Sequence, residues 1–389
     1  MSRIKVNRLE NTATGNGGID IDASGHVKFD GQQLPTAGPL SNRNLVINGA
    51  MQVAQRGTTS TDNGYRTVDR WQTFFGGSIG GTQSQASLTS GTPYDEGFRA
   101  AYKIEITTAS NNGSDYMQSQ TNLEAQDIAQ SGWNYKDPSH SLTCSFWVKS
   151  SLAGTYNVQY RANDSGNFFF NRPFTLTANT WTKVTQTIPG HASLVFNRDT
   201  ETGLQIVIVQ HYGTSHTDNS ISNNTWFSLS GASYFKDYAQ NFGNTANATF
   251  EITGVQLEVG DKATTFEHRS YGDELARCQR YYYMHAKYTG AVQKSISQAA
   301  AYTSSSAFGV VHFPVTMRAI PTLEVANVAN AYRLFIGGSS ASFSSFSTQE
   351  ASENAYTIER GSLSMSAGNS GWFRLNDEPG GQIAFTAEL

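Results

Sequence analysis

The chain has 389 residues, of which 38% are hydrophobic, 15% charged and 12% aromatic, with 36 glycines and a net charge of −4. Abundant aromatics with sparse charge exclude a disordered chain, and an acidic balance without any basic run excludes general nucleic-acid binding. No stretch reaches the ~18 apolar residues of a membrane-spanning helix, MSRIKVNRLENT lacks the apolar core of a secretory signal, and Cys144 and Cys278 are too few for a disulfide scaffold.

This composition predicts an all-β protein made in a reducing cytosol, with two or three domains at ~150 residues each. Residues 1–40 read as a separate segment. IKVNRLEN, GGIDID and HVKFDG alternate polar and apolar residues between turns at Gly15-Asn16-Gly17-Gly18 and Ser24-Gly25, which predicts small strands and hairpins. The segment has too few large apolar residues for its own core, so association with its own copies or with another protein is expected. QQLPTAGP (32–39) reads as a linker.

Residues 41–271 read as one large β-domain. Along Leu142–Lys149, the side chains of Leu142, Cys144, Phe146 and Val148 share the core face. Thr155–Tyr160, Trp181–Ile188, Gly203–Gln210 and Thr249–Val259 are further strands, separated by turns such as Asn163-Asp164-Ser165-Gly166. Short strands with turn signals predict a sandwich or barrel. The apolar phase changes between Phe250/Ile252 and Val255/Leu257/Val259, which predicts a β-bulge near Thr253-Gly254. Asn122–Gln130 is the one helical pattern before residue 270.

Residues 272–389 read as a smaller β-domain that opens with a short helix over Asp273–Arg280, its acids in the first turn. The expected strands are Gly309–Phe313, Thr322–Val328, Tyr332–Ile336, Tyr356–Arg360, Gly371–Leu375 and Ile383–Leu389. Phe343 and Phe346 mark the Ser-rich stretch 338–348 as strand and loop rather than linker.

NRNLVINGAMQVAQRGT (42–58), YRTVDRW (65–71), SFWVKS (145–150), FEITGVQLEVGDKATTFEHRSYGDELARCQRYYY (250–283) and FPVTMRAIPTLEV (313–325) resemble the tail-fibre and receptor-binding fibre proteins of tailed bacteriophages, a pattern common in phages of aquatic bacteria including cyanobacteria. The opening IKVNRLENTATGNGGIDIDASGHVKFDG and the ending GQIAFTAEL resemble the two ends of such chains. The resemblance implies a jelly-roll like those of carbohydrate-binding modules, then a smaller C-terminal β-sandwich. It also implies a homotrimeric fibre in the virion, assembled in the host cytoplasm and attached to other phage tail or virion proteins through its N-terminus. The function it implies is binding a host surface receptor, a glycan, without catalysis, nucleic-acid binding or membrane insertion. A structural decoration or adaptor protein is the alternative, and a glycan depolymerase the second.

The residues bear on these alternatives. No G-x-S-x-G, P-loop or H-E-x-x-H pattern occurs. Asp199/Glu201 and Glu251/Glu258 are the carboxylate pairs a depolymerase would need; they read as a solvated loop pair and a structural pair. His211, His216 and Asp218 have metal-ligand chemistry but no standard spacing, and read as an exposed polar loop. No cofactor is expected, although Asp62, Asp69, Glu258 and Asp261 leave room for a structural calcium. Sugar binding needs ring faces to stack on a pyranose, with amides, acids or arginines for its hydroxyls. Three places offer both: Trp133-Asn134-Tyr135; Phe169 and Arg172 within FFFNR (168–172); and His211-Tyr212 with Trp226 across a polar loop. Because neighbours on a strand alternate faces, Phe168, Phe169 and Phe170 cannot all enter one core, so at least one is expected to be exposed or at a subunit interface. Trp71 and Trp147 are expected to be packed, and both cysteines to be inert core thiols.

Overall fold

The computed structural model describes residues 8–10, 18–23, 27–29, 32–33 and 41–389, apart from 230, 232, 239–241, 291 and 362–363. The chain divides into two compact units, Met1–Arg269 and Ser270–Leu389. Both are built almost entirely of antiparallel strands, and among the described residues no helix is long and apolar enough to cross a membrane.

Arg8–Glu10, Gly18–Ile21, Val27–Phe29 and Gln32–Gln33 pair in chain order as a small antiparallel sheet. Arg8 faces Asp20 across the first pair at 2.9 Å. Leu9, Ile21 and Phe29 stay about half exposed, at 58%, 44% and 46%. The linker expected over 32–39 begins later, since Gln32–Gln33 pair with Lys28–Phe29; its remainder, and the turns expected at Gly15–Gly18 and Ser24-Gly25 apart from Gly18, lie outside the described residues.

The body of the large unit is a jelly-roll-type sandwich of two six-stranded sheets. The first runs in the order Thr182–Pro189, Ser141–Ser150, Thr249–Val259, Ala100–Thr108, Gly80–Ser87, Thr59–Ser60. The second runs Trp226–Ser228, Phe168–Leu176, Gly154–Ala162, Thr202–Tyr212, Tyr116–Glu124, Gln72–Gly76. Leu142, Cys144, Phe146 and Val148 enter the core, where they meet Tyr160, Phe170, Ile206 and Ile208 of the facing sheet. The bulge sits where the phase change places it. Ser145 pairs with Gln256 and Trp147 with Thr253, so two residues oppose one. Gly254 takes φ +63°, and a Cβ there would stand 2.6 Å from Phe98 Cζ.

Two expectations change. The helix is confined to Ala125–Ala129, because Asn122–Glu124 continue a strand paired with Thr202–Gln205. Phe168 and Phe170 enter the sandwich core while Phe169 takes the opposite face, as alternation requires. Phe169 is nonetheless buried, because Phe227, Tyr234 and Arg161 cover it. Trp71 is fully buried in the core, and Trp147 packs on the outer side of its sheet against Leu88, Phe98 and Ala101.

In the small unit, Ser270 caps the helix Tyr271–Gln279 by accepting from Asp273 N at 3.1 Å. A three-stranded sheet (Tyr282–Lys287, Gln382–Thr386, Thr322–Val325) accompanies a seven-stranded one. The larger runs Ser339–Phe343, Tyr332–Ile336, Ser370–Leu375, Lys294–Ala301, Ala307–His312, Ala355–Arg360, Ser347–Ala351. Tyr332, Leu334, Phe343, Phe346, Ile358, Phe373 and Phe385 form its core. Cys144 and Cys278 are both free and buried.

Candidate functional site

The strand Thr202–Tyr212 ends in a bulge, its register slipping between Val209 and His211 opposite Gln118 and Met117. Gln210 turns inward and donates to Ser119 Oγ at 3.1 Å. The strand thereby extends through His211 and Tyr212, which corrects their reading as an exposed polar loop. His211 is 8% exposed, with Nδ1 buried and without a hydrogen-bond partner. Burial pushes the His211 pKa down, against the attraction of Asp115, so its imidazole is neutral at pH 7. Burial alone would push the Asp115 carboxyl up; hydrogen bonds from Ser78 N, Ser110 and Asn112 N, with His211 nearby, outweigh it and hold the pKa below the usual range.

Tyr212 lies on the outer face of its sheet and donates its hydroxyl to Gln118 Oε1. Its ring packs against Phe235 at 4.7 Å and His216 at 5.5 Å. Gly213 has no room for a side chain, since a Cβ would lie 2.4 Å from Gly113 O. That close approach brings the 111–113 loop beside the strand end. A cleft of about 190 Å³ opens there, lined by His211, Tyr212, Asn111, Asn112, Asp237, Tyr238 and Asn244 among others. It joins phenol rings, amides and a carboxylate, the chemistry that holds a sugar ring and its hydroxyls.

The other predicted residues lie elsewhere in the unit. Trp133 is buried, its Nε1 donating to His140 O at 3.1 Å, and packs with half-buried Tyr135 around Phe196. Asn134 between them is exposed. Trp226 is buried, stacked on Phe168 at 5.5 Å and donating to Pro189 O at 2.7 Å. Arg172 is half-buried and holds Asn224 Oδ1 at 3.0 Å. The structure thus brings His211 and Tyr212 together in a cleft, with Phe169 farther along the same sheet, and leaves the two tryptophans in packing roles.

Sequence reasoning missed Asn111, Asn112, Asp237, Tyr238 and Asn244. It also missed a run of amides on the outer face of that sheet. Gln118 donates to Gln120 at 2.8 Å, Gln120 to Asn122 at 3.3 Å, and Arg161 bridges Gln118 and Gln159. The spacing Gln-x-Gln-x-Asn is the signal that could have revealed it, since period two puts all three on one face.

The acidic pairs are spent on protein partners. Glu251 pairs with Lys149 at 2.9 Å, and buried Glu258 accepts from Thr264 N at 2.9 Å, Thr264 Oγ1 at 2.7 Å and Gln256 Nε2 at 2.9 Å. Asp199 accepts from Glu201 N within an exposed loop. Asp69 accepts from Gln55 N and Nε2, and Asp62 and Asp261 are exposed. His216 Nε2 lies 3.2 Å from Ser114 O. Among the described residues, no group of three or more His, Cys, Asp or Glu could hold a metal ion.

No protein-family model and no curated protein sequence matches the chain. Several solved structures are similar to parts of it. The enzymatically active domain of tailspike protein 4 of bacteriophage CBA120 is 8% identical over 56% of this chain and 21% of its own, about a fifth of its length, with a TM-score of 0.30. A family 16 carbohydrate-binding module is 13% identical over 45% of this chain and 84% of its own, with a TM-score of 0.22. The module TmCBM61, solved in complex with β-1,4-galactotriose, is 9% identical over 57% of this chain and 100% of its own, with a TM-score of 0.24.

Proposed function

We propose that the chain is a fibre protein of a tailed-phage virion that binds a glycan of the host surface and does not cleave it. The cleft at the end of Thr202–Tyr212 carries this reading, because rings, amides and a carboxylate converge there from the strand end and the two loops that meet it. The patches that resemble phage fibre proteins supply the biological setting. The half-exposed Leu9, Ile21 and Phe29 of the N-terminal sheet support assembly into a homotrimer, since apolar side chains that one copy leaves in water can be buried between copies.

The test is binding of the purified full chain to an array of bacterial surface polysaccharides. Binding without release of reducing ends is expected, and Tyr238→Ala should weaken it about tenfold, the size of one lost stacking contact. Sustained release of oligosaccharides would replace this reading with a depolymerase. Light scattering should give three copies per particle; a monomer at micromolar concentration would overturn the trimer. A second reading, a decoration or adaptor protein without a receptor, draws on the burial of Trp133, Phe169 and Trp226. Binding to none of the polysaccharides would establish it in place of the first.

A further inference from the structure

The outer face of the seven-stranded sheet in the small unit carries a cluster outside the cleft described above. Phe335 and Trp372 lie directly opposite each other on neighbouring strands, as do Arg333 and Arg374. The two rings stack in parallel, 5.1 Å between centroids at 14°. Trp372 is 48% exposed, so its indole offers a free ring surface on an otherwise packed platform. Arg374 Cζ stands 4.4 Å from the Phe335 centroid and Arg333 Cζ 5.7 Å. On the other side, exposed Gln298 is opposite Trp372 and exposed Ser295 opposite Arg374.

The charges are not balanced within the chain. No carboxylate pairs with Arg333 or Arg374 among the described residues, and the Nε of each is buried without a hydrogen-bond partner. Two like charges facing each other across a strand pair repel. Burial, and then the charge of Arg333, lowers the pKa of Arg374, as expected where a second guanidinium and no acid is near. Two planar donors with no acid between them fit a carboxylate, which arginine binds through two parallel hydrogen bonds. An aromatic face beside them fits the apolar side of a pyranose. In a uronic acid these two features are adjacent, because the carboxylate is attached to the ring itself.

We propose that Trp372, Phe335, Arg333 and Arg374 form a binding site for the uronic-acid residues of an acidic polysaccharide, with the sugar ring on Trp372 and its carboxylate on the arginine pair. The proposal rests on the glycan-binding reading and assigns it a second site and a substrate charge. The full chain should be run in affinity electrophoresis through alginate, polygalacturonate and hyaluronan, through each polymer after its carboxylates have been reduced to alcohols, and through dextran. Retardation by at least one uronate polymer is expected, and its loss in the reduced form and in dextran. Trp372→Ala and Arg374→Gln should each weaken retention about tenfold, and Arg374→Lys should restore only part of it, because lysine keeps the charge but not the fork. Tyr302→Ala, at an exposed ring outside both sites, should leave this retention unchanged.

Retention by no uronate polymer, or retention indifferent to Trp372→Ala and Arg374→Gln, would overturn the site. If the chain still binds neutral polysaccharides through Tyr238, only this site falls; if it binds none, the glycan reading falls with it. A smaller particle for Trp372→Ala by light scattering would assign the face to a contact between copies and overturn the proposal as well.

Discussion

Glu258 tests whether one buried carboxylate fastens the last segment of the large unit to its sandwich. The side chain is 1% exposed. Its Oε1 accepts from Thr264 N and Gln256 Nε2, both at 2.9 Å, and its Oε2 from Thr264 Oγ1 at 2.7 Å, with Arg43 Nε 3.7 Å away. Arg43 Nε in turn donates to Thr264 Oγ1 at 2.9 Å. Glu258→Ala leaves the buried Thr264 N–H without its acceptor, takes from Gln256 Nε2 the shortest of its three contacts, and removes one of the two carboxylates near the Arg43 guanidinium. Breaking such a group from one side costs about 3–5 kcal/mol. Glu258→Gln keeps one acceptor oxygen, and the Thr264 hydroxyl can turn to Thr265 O at 3.4 Å, so about 1–2 kcal/mol should be lost. Five of the six tryptophans, Trp71, Trp133, Trp147, Trp181 and Trp226, lie in this unit, so fluorescence-monitored urea unfolding reports on it. A loss below about 1 kcal/mol for Glu258→Ala would refute the reasoning, as the site would then be hydrated rather than closed.

Gly254→Ala should destabilise the same unit by about 1–3 kcal/mol in that assay, because φ is +63° and the new methyl meets the Phe98 ring. His285 in the small unit is held neutral: burial lowers its pKa below 6.5, against the pull of Ile296 O, which Nε2 reaches at 2.7 Å. With the folded pKa below the unfolded one, stability is full above pH 6.5 and falls as pH drops through 6.5 toward the folded value. His211 behaves alike. Melting temperatures read from about pH 7.5 to 5.5 should fall in wild type and fall less in His285→Gln and His211→Gln. Burial pushes the Cys144 thiol up to about 12. A thiol reagent at about pH 8 should therefore leave native Cys144 unmodified and label it at once in denaturant.

The strands that could be read from the sequence are those whose core faces hold large apolar residues. Ser141–Ser150 and Thr249–Val259 alternate strongly enough that even the bulge is visible, since a strand keeps one core face through a change of phase only by inserting a residue. Gly80–Ser87 and Lys294–Ala301 are small and polar along most of their length and carry no such signal. Tyr116–Glu124 was concealed differently. Ser119 and Thr121 face inward, where Ser119 bonds Thr73 and Gln210, while amides fill the outward positions, so neither face reads as apolar. Only pairing with Thr202–Tyr212 and Gln72–Gly76 makes it a central strand.

The candidate site divides along the same line. His211 and Tyr212 could be found because aromatic residues beside polar ones mark recognition chemistry wherever they fall. Asn111, Asp237, Tyr238 and Asn244 could not, because their convergence depends on two loops that meet the strand end, one of them seated by the missing side chain at Gly213. Coverage was equally hidden. Alternation fixes which way Phe169 points, but whether that face meets water is decided by Tyr234, 65 positions later, whose backbone carbonyl accepts from Asn171 and Gln159. Local pattern therefore sets the direction of a side chain, and long-range closure sets its exposure. The Trp372 platform follows the same rule in reverse. Its period-two pattern, Trp372 and Arg374 on one strand and Arg333 and Phe335 on the next, was present in the sequence. The strand register alone turns two unremarkable pairs of residues, each two positions apart, into a stacked pair of rings beside two facing guanidiniums.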